Sequence, residues 1–411
     1  MKNRIIYITV IVLVIFGWRV AYAGGNLNNG SNAGLAYFNL NNGSSNDNSN
    51  LGAQLSIEMP QSTKTMALAK KNKSLTGASR NRKLWEDNAD MKRHKDLFQK
   101  VYDKENVRVA INNAKKGKSS YPDVKAINKD PEKYVEAIHF MIKNKQFKNS
   151  EYSIFRRVTG GKTRTIYKLP FYPDRIIHHC IVQVMMPIWM NLLIRDTYST
   201  IPGRGIHDGV YRIKRALRDQ DNTRFCLKMD IAKYYPTINH DILKAILSRK
   251  IKDNDLIDLF SEIIDSAPGI PIGNYISQWF GNIYLAYFDH YVKEDLKIKY
   301  YFRYADDLVL LGSNKEYLHN ARRNIQDYLE YNLALSLKDN YQVFPVKARG
   351  IDFLGYRFYH THTLVRKRIV MAFKRKIKNK KASKKEQSAY WGWFKHANSH
   401  NLTKKYFYEK V

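Results

Sequence analysis

Tyr304-Ala305-Asp306-Asp307 sets two carboxylates side by side between the apolar runs Tyr300 to Tyr304 and Leu308 to Leu311. That pattern reads as a hairpin with two acids at its tip. Adjacent carboxylates repel unless a cation neutralises them. Well upstream, Phe225-Cys226-Leu227-Lys228-Met229 reads as a short strand ending in Asp230. A third carboxylate from such a neighbouring strand completes an oxygen-rich site of the kind magnesium takes together with substrate phosphates. Two such ions would activate a hydroxyl for in-line attack at phosphorus and stabilise the leaving group. Asp-Asp pairs are also ordinary turn chemistry, so the surrounding elements decide between the two.

Those elements fall into a pattern. Asn239 caps a predicted helix bearing Ile242, Leu243, Ile246 and Leu247, so Asp230 sits at a strand end that turns into a helix. Strand, helix, strand–strand, helix, strand around Asp230 and the two-acid hairpin predicts a ferredoxin-like unit within an α+β fold. Upstream, order is expected from about Leu97. Asp130-Pro131 opens a helix with Val135, Ile138, Met141 and Ile142 on one stripe. Ile154 to Leu169 reads as a hairpin around Gly160-Gly161 carrying Arg156, Arg157, Lys162, Arg164 and Lys168, either a solvated surface or a phosphate clamp.

Composition narrows the partner. The 70 Lys and Arg against 37 acids give a formal charge of +33, spread over most of the chain, which is a footprint for a polyanion. Ribosomal proteins and binders of anionic membranes share that balance. The 44% hydrophobic content suffices for a buried core, and two cysteines, Cys180 and Cys226, offer neither a disulfide framework nor zinc spacing. A reducing compartment follows. Residues 366–385 hold eleven Lys or Arg and no acid, a solvated face or a surface that tracks a nucleic-acid backbone.

The start of the chain differs from the rest. Lys2 and Arg4, the apolar run Ile5 to Phe16 and Ala21-Tyr22-Ala23 read as a secretory signal. Residues 26–50 then contain ten Asn, and Asn-Leu-Asn-Asn-Gly-Ser occurs at both 26–31 and 39–44. Such a stretch cannot build a core. Residues 59–94 are polar and basic without sustained periodicity and are expected to be a linker.

Seven blocks, in order, resemble the reverse transcriptases: Lys162-Thr163-Arg164, Gly203-Arg204-Gly205, Asp230 with Tyr234-Tyr235, Gly273 to Gln278, Tyr304-Ala305-Asp306-Asp307, Lys338, and Phe353-Leu354-Gly355. The resemblance runs through roughly residues 95–411. It implies a right-hand polymerase with fingers at 95–224, a ferredoxin-like palm at 225–350, and a primer grip with a small basic helical thumb at 351–411. It further implies an RNA-dependent DNA polymerase using two Mg2+ ions, with Asp230, Asp306 and Asp307 as catalytic metal ligands and the Ile231 carbonyl as a further ligand. Arg164 would hold the incoming triphosphate, and Tyr235 would exclude a 2′-hydroxyl. Ile272, Gly273, Gln278 and Lys338 complete the nucleotide site, with Lys338 as general acid or phosphate contact. Phe353, Leu354 and Gly355 would align the primer end.

Most of the superfamily reads Pro-Gln-Gly and then Ser-Pro before the two-acid box. This chain reads Pro271-Ile272-Gly273-Asn274-Tyr275-Ile276-Ser277-Gln278. That version, with the tail Tyr390-Trp391-Gly392-Trp393-Phe394-Lys395-His396, is similar to enzymes of diversity-generating retroelements, which copy a template-repeat RNA into adenine-mutagenised cDNA. The implied partners are template RNA, the RNA–DNA hybrid, deoxynucleoside triphosphates and a small basic accessory variability protein, in an oligomer, with no membrane. Asn codons begin with two adenines, so residues 24–56 read as template-repeat-derived, within a signal-like and Asn-rich segment 1–58 that is expected to be either disordered or of that origin. The signal-like start then becomes spurious and the expected location cytoplasmic. A group II intron or defence-associated reverse transcriptase is the alternative within the class; a non-catalytic RNA-binding protein is the alternative outside it.

Overall fold

The computed structural model of the chain describes residues 93–408 except 160 and 379–382. Residues 1–58 and all of the expected linker but its last two residues lie outside the described residues. The last of them, His94, is already bonded to the folded unit. The His94 N–H donates to Lys250 O and the Lys252 N–H to His94 O, both at 2.8 Å, just before the first described helix, Leu97–Tyr102.

The basic hairpin forms as expected: β1 (Ser153–Thr159) pairs antiparallel with β2 (Lys162–Lys168). Before it, the helix Pro131–Lys143 begins where Asp130 accepts a hydrogen bond from the Lys133 N–H, and it buries Val135, Ile138 and Ile142. After it, the helix Ile176–Leu192 carries ten buried residues.

A four-stranded sheet positions the acids. Its strands are β3 (Phe225–Asp230), β4 (Tyr300–Tyr304), β5 (Asp307–Gly312) and β6 (Gln342–Pro345), in the order β4-β5-β3-β6 and all antiparallel. Helices bridge β3 to β4 and β5 to β6, which is the ferredoxin-like connection. Asn239 caps the helix His240–Ser248 by accepting from the Ile242 N–H at 3.0 Å. A second sheet follows, β7 (Ile351–Phe353), β8 (Tyr356–Phe358) and β9 (Thr363–Val365), and then the helices Lys367–Lys378 and Lys384–Phe394. The whole is an α+β right-hand polymerase fold.

Strand alternation divides the core in two. Leu227, Met229, Leu308, Leu310 and Tyr301 face a cluster shared with helices before β3 and with those between the strands. Cys226, Val309, Leu311, Phe302 and Phe344 face a second cluster built with Phe353, Tyr356, Phe373 and Phe394. The division does not follow a boundary at residue 225. The helix Ile206–Ala216 lies within the segment expected as fingers, yet its Val210 and Ile213 pack into the second cluster. The reason is its apolar stripe, which matches the far face of the sheet. Among the described residues, no helix is long and apolar enough to cross a membrane.

Candidate active site

Asp230 and Asp307 are directly opposed in the β3–β5 register. Opposed residues of an antiparallel pair share a face, and parity puts both acids on the face of the second core, beyond Lys228 and Val309. Asp307 is therefore the first residue of a strand and not part of the hairpin tip. The turn is only Ala305-Asp306, with Ala305 at φ 52°. The cause is the register, since pairing with Tyr304 and Asp230 extends β5 one residue further than the apolar run. Asp306 is tied to the same strand end, because the Ile231 N–H donates to its carbonyl at 3.2 Å.

The three carboxylates lack sufficient counter-charge. Burial pushes Asp306 up to about 6, and the charges of Asp230 and Asp307 add to the shift. Asp307 is raised as well, first by burial, with Lys228, Arg366 and Lys338 pulling the other way and Asp230 pushing up. Lys338 pairs through its ammonium with Asp230, and its N–H donates to the Asp230 carbonyl at 2.9 Å. Among the described residues only Lys338 forms an ion pair with any of the three acids, while Lys228 and Arg366 are held by Asp352, so the carboxylates remain under-compensated in a partly dry site. A hard, oxygen-seeking divalent cation would suit it. Among the described residues, no three His, Cys, Asp or Glu side chains are arranged as a ready-made metal cage; one of the three acids is committed to Lys338.

Tyr235 adjoins this group. Its hydroxyl is pushed up to about 12 by burial and by the Asp306 charge. A Cβ on Gly281 would lie 3.1 Å from the Tyr235 ring, so glycine there leaves the ring its seat. The strip at Ile272-Gly273 joins the β1–β2 hairpin through the backbone: the Tyr167 N–H donates to Ile272 O at 2.9 Å. Gly273, at φ +133°, approaches so closely that a Cβ would stand 2.4 Å from Tyr167 O. Only glycine meets both demands.

Arg164 lies on β2, exposed and opposite Arg157. By alternation it shares a face with Ile166, whose side chain meets Gly273, so it points to the same side as the strip. It is not brought into contact with the acids. Gln278 is exposed in the first turn of the helix Ser277–Tyr284, where it accepts a hydrogen bond from the Thr200 hydroxyl. Phe353 is buried, and Leu354-Gly355 form the β7–β8 turn with both residues at positive φ, 51° and 84°. A Cβ on Gly355 would stand 2.4 Å from the Trp393 ring, so the aromatic tail packs on this turn.

Sequence reasoning missed the supports. Lys228 donates to Asp352 O at 2.7 Å, and Arg366 donates to the Asp352 carboxylate at 2.7 Å, which ties β7 to the strand of Asp230. A lone lysine inside an apolar strand two residues before Asp230 was the available signal. Arg303 and Asp289 form a fully buried pair beneath the acid turn. Nothing in their spacing pointed to each other.

The reverse transcriptase (RNA-dependent DNA polymerase) family model matches residues 148–358, half of the chain. Protein YkfC of Escherichia coli K12 is 26% identical over 298 residues, covering 60% of this chain and 76% of YkfC. The COX1/OXI3 intron 2 protein of Saccharomyces cerevisiae is 22% identical over 247 residues, covering 43% of this chain and 29% of that protein. Among solved structures, apo telomerase from Candida tropicalis aligns with a TM-score of 0.40 at 14% identity, covering 52% of this chain and 48% of the telomerase. Telomerase from Candida albicans with a TWJ fragment of telomeric RNA aligns with a TM-score of 0.40 at 11% identity, covering 57% of this chain and 51% of the other.

Proposed function

We propose, since this chain belongs to the reverse transcriptase (RNA-dependent DNA polymerase) family and is therefore an RNA-directed DNA polymerase, that its chemistry runs through Asp230, Asp306 and Asp307. The observation that carries the proposal is the direct opposition of Asp230 and Asp307 with Asp306 in the adjoining turn. Enzymes of this class depend on a divalent metal. When bound, it supplies Lewis-acid activation of the primer 3′-hydroxyl and charge neutralisation at the leaving pyrophosphate. The three carboxylates would hold it, with the Ile231 carbonyl as a further oxygen ligand, and we propose two Mg2+ ions.

The chain's own residues do the positioning. Tyr235 fills the space a ribose 2′-hydroxyl would enter. The Ile272-Gly273 strip, pinned to Tyr167, floors the nascent base pair. Arg164, on the same side of β2, receives the triphosphate. Lys338, paired here with Asp230, would contact a phosphate or protonate the leaving group were that carboxylate taken up by a cation. The Leu354-Gly355 turn, held through Asp352 to Lys228, presents the primer end, and the basic helices after it track the RNA–DNA hybrid.

The finer reading is mutagenic copying of a template-repeat RNA in a diversity-generating retroelement, with an accessory variability protein as partner. Ile272 in place of glutamine supports it, because the strip beside the base pair then offers no side-chain amide. A second reading, an intron-type reverse transcriptase, is favoured by the similarity to the yeast intron protein. Primer extension on an RNA template of all four bases, followed by sequencing of the cDNA, separates them. Errors concentrated at template adenines support the first; uniform, low error overturns it in favour of the second.

A further inference from the structure

Next to the Ile272-Gly273 strip lies a cavity of about 370 Å³ that none of the three acids lines. Its walls come from the end of β2, the start of the helix Ile176–Leu192, the segment Gly273-Asn274-Tyr275, and the helix Pro122–Lys129 with the turn before it. Lys118, Lys168 and Arg175 line it against a single acid, Asp123.

Two of its polar groups have unmet hydrogen-bonding capacity. His178 lines the cavity and is 1% exposed, and its Nε2 has no hydrogen-bond partner. The Arg175 Nε is likewise buried without a partner, and among the described residues no carboxylate pairs with this guanidinium. Arg175 instead lies 5.8 Å from the centre of the Tyr275 ring, and His179 stacks on that ring at 3.9 Å. Burying such groups unsatisfied is costly, and the cost is removed if an anion enters. Burial holds His178 down at about 3, so it is a neutral donor or acceptor and adds no charge. In the tautomer that carries hydrogen on Nε2 it donates to an anionic oxygen.

We infer that this cavity is a phosphate-binding pocket for the unpaired template strand, taking the phosphodiester just ahead of the templating base. The inference rests on the polymerase reading. At the nascent base pair the primer ends, and the triphosphate is directed toward Arg164 and the acids. Only the template continues past Ile272, and this cavity begins at the next residue, Gly273. A guanidinium with a spare Nε–H, a donor imidazole and two flanking ammoniums suit a phosphate better than a base, since the Tyr275 ring already stacks with His179 and lies near the Arg175 guanidinium.

The test measures binding by fluorescence anisotropy with the full chain and needs no extension, so a chain that binds but never polymerises would be recognised separately. Arg175→Gln should weaken binding of a primer–template with an unpaired 5′ template overhang by roughly tenfold and leave a blunt duplex unchanged. A neutral methylphosphonate at one of the first unpaired template positions should cost the wild type a similar factor and cost Arg175→Gln nothing further. Because Arg175 is partly buried, the pair Lys118→Gln with Lys168→Gln, the first half-buried and the second exposed, should give the same selective loss, with melting temperature followed for all variants. Equal weakening of blunt and overhang duplexes, or a methylphosphonate penalty identical in wild type and variant, would overturn the assignment. So would a variant that keeps overhang affinity and loses only affinity for a free deoxynucleoside triphosphate, which would make the pocket a nucleotide site.

Discussion

Arg303 and Asp289 are both fully buried and meet through hydrogen bonds of 2.6, 2.8 and 2.9 Å, and the same guanidinium donates to the carbonyl of Ala305 at 3.3 Å. The pair therefore braces the turn that carries Asp306. Tyr301 adds its hydroxyl to Asp289 at 2.7 Å, and the Asn282 carbonyl takes another guanidinium proton at 3.2 Å. A charge this deep is tolerable only while its partner remains. Asp289→Asn should lower the unfolding free energy by about 3–5 kcal/mol and abolish extension, as read by denaturant melts and a primer assay. Replacing both residues with apolar ones should recover much of the stability but not the activity, because Ala305 loses its donor. A stable, active Asp289→Asn would remove the brace from the account.

Asp230→Ala and Asp306→Ala each take a carboxylate from the proposed metal site without touching a backbone-phosphate contact. Primer extension should fall at least about a hundredfold, while RNA affinity at fixed salt stays within about twofold. Activity within a few-fold of wild type would sink the site.

The raised Asp306 pKa has a signed consequence. A carboxyl whose folded-state pKa lies above the ordinary 3.8, here at about 6, holds its proton more tightly folded than unfolded. In metal-free protein its contribution is therefore absent below the unfolded value, and stability is lost as pH rises to and through about 6. Asp306→Asn in chelator should raise Tm by about 2–4 °C at neutral pH and by nothing once the medium is acidic enough to protonate both states. Wild-type extension should show an acid limb near the same pKa, moving to lower pH as magnesium is raised, because a bound cation favours the ionised form. An acid limb indifferent to magnesium would count against Asp306 as a ligand.

Tyr235 stands against Gly281 and senses the Asp306 charge. Tyr235→Ala opens the volume proposed to exclude a 2′-hydroxyl, so ribonucleotide incorporation should rise roughly ten- to a hundredfold with deoxynucleotide incorporation little changed. Unaltered sugar selectivity would reassign the ring to packing.

What the sequence made legible follows from period and chemistry. The apolar runs Phe225 to Met229 and Leu308 to Leu311 were enough to place two strands, and the acids flanking them were enough to make those strands neighbours. Asn239 announced its helix by its side-chain oxygen. Register was not legible: nothing in Ala305-Asp306-Asp307 says that Asp307 pairs with Asp230 and leaves a two-residue turn. Pairs far apart in the chain, such as Lys228 with Asp352 and Gly355 with Trp393, were equally hidden, since only the closed fold brings them together. The same holds for the helix Ile206–Ala216, whose place against the second core only the closed fold decides.

Ile272 offers the last test, and its backbone makes the test clean. The residue is held by its carbonyl to the Tyr167 N–H, and Gly273 locks the next step of the chain, so a new side chain at 272 leaves the strip in place. Ile272→Gln then restores an amide beside the template without moving the palm. One hydrogen bond of ordinary strength is about 1 kcal/mol, roughly five-fold in discrimination. Misincorporation opposite template adenine should fall by about that factor, with total extension preserved and errors opposite the other three bases less affected. The effect should be partial, because Arg164 and the proposed accessory protein also act on the bound nucleotide and template. An adenine error rate unchanged in Ile272→Gln, at normal extension, would mean that the residue marks the lineage and that mutagenesis arises elsewhere in the site or in the partner.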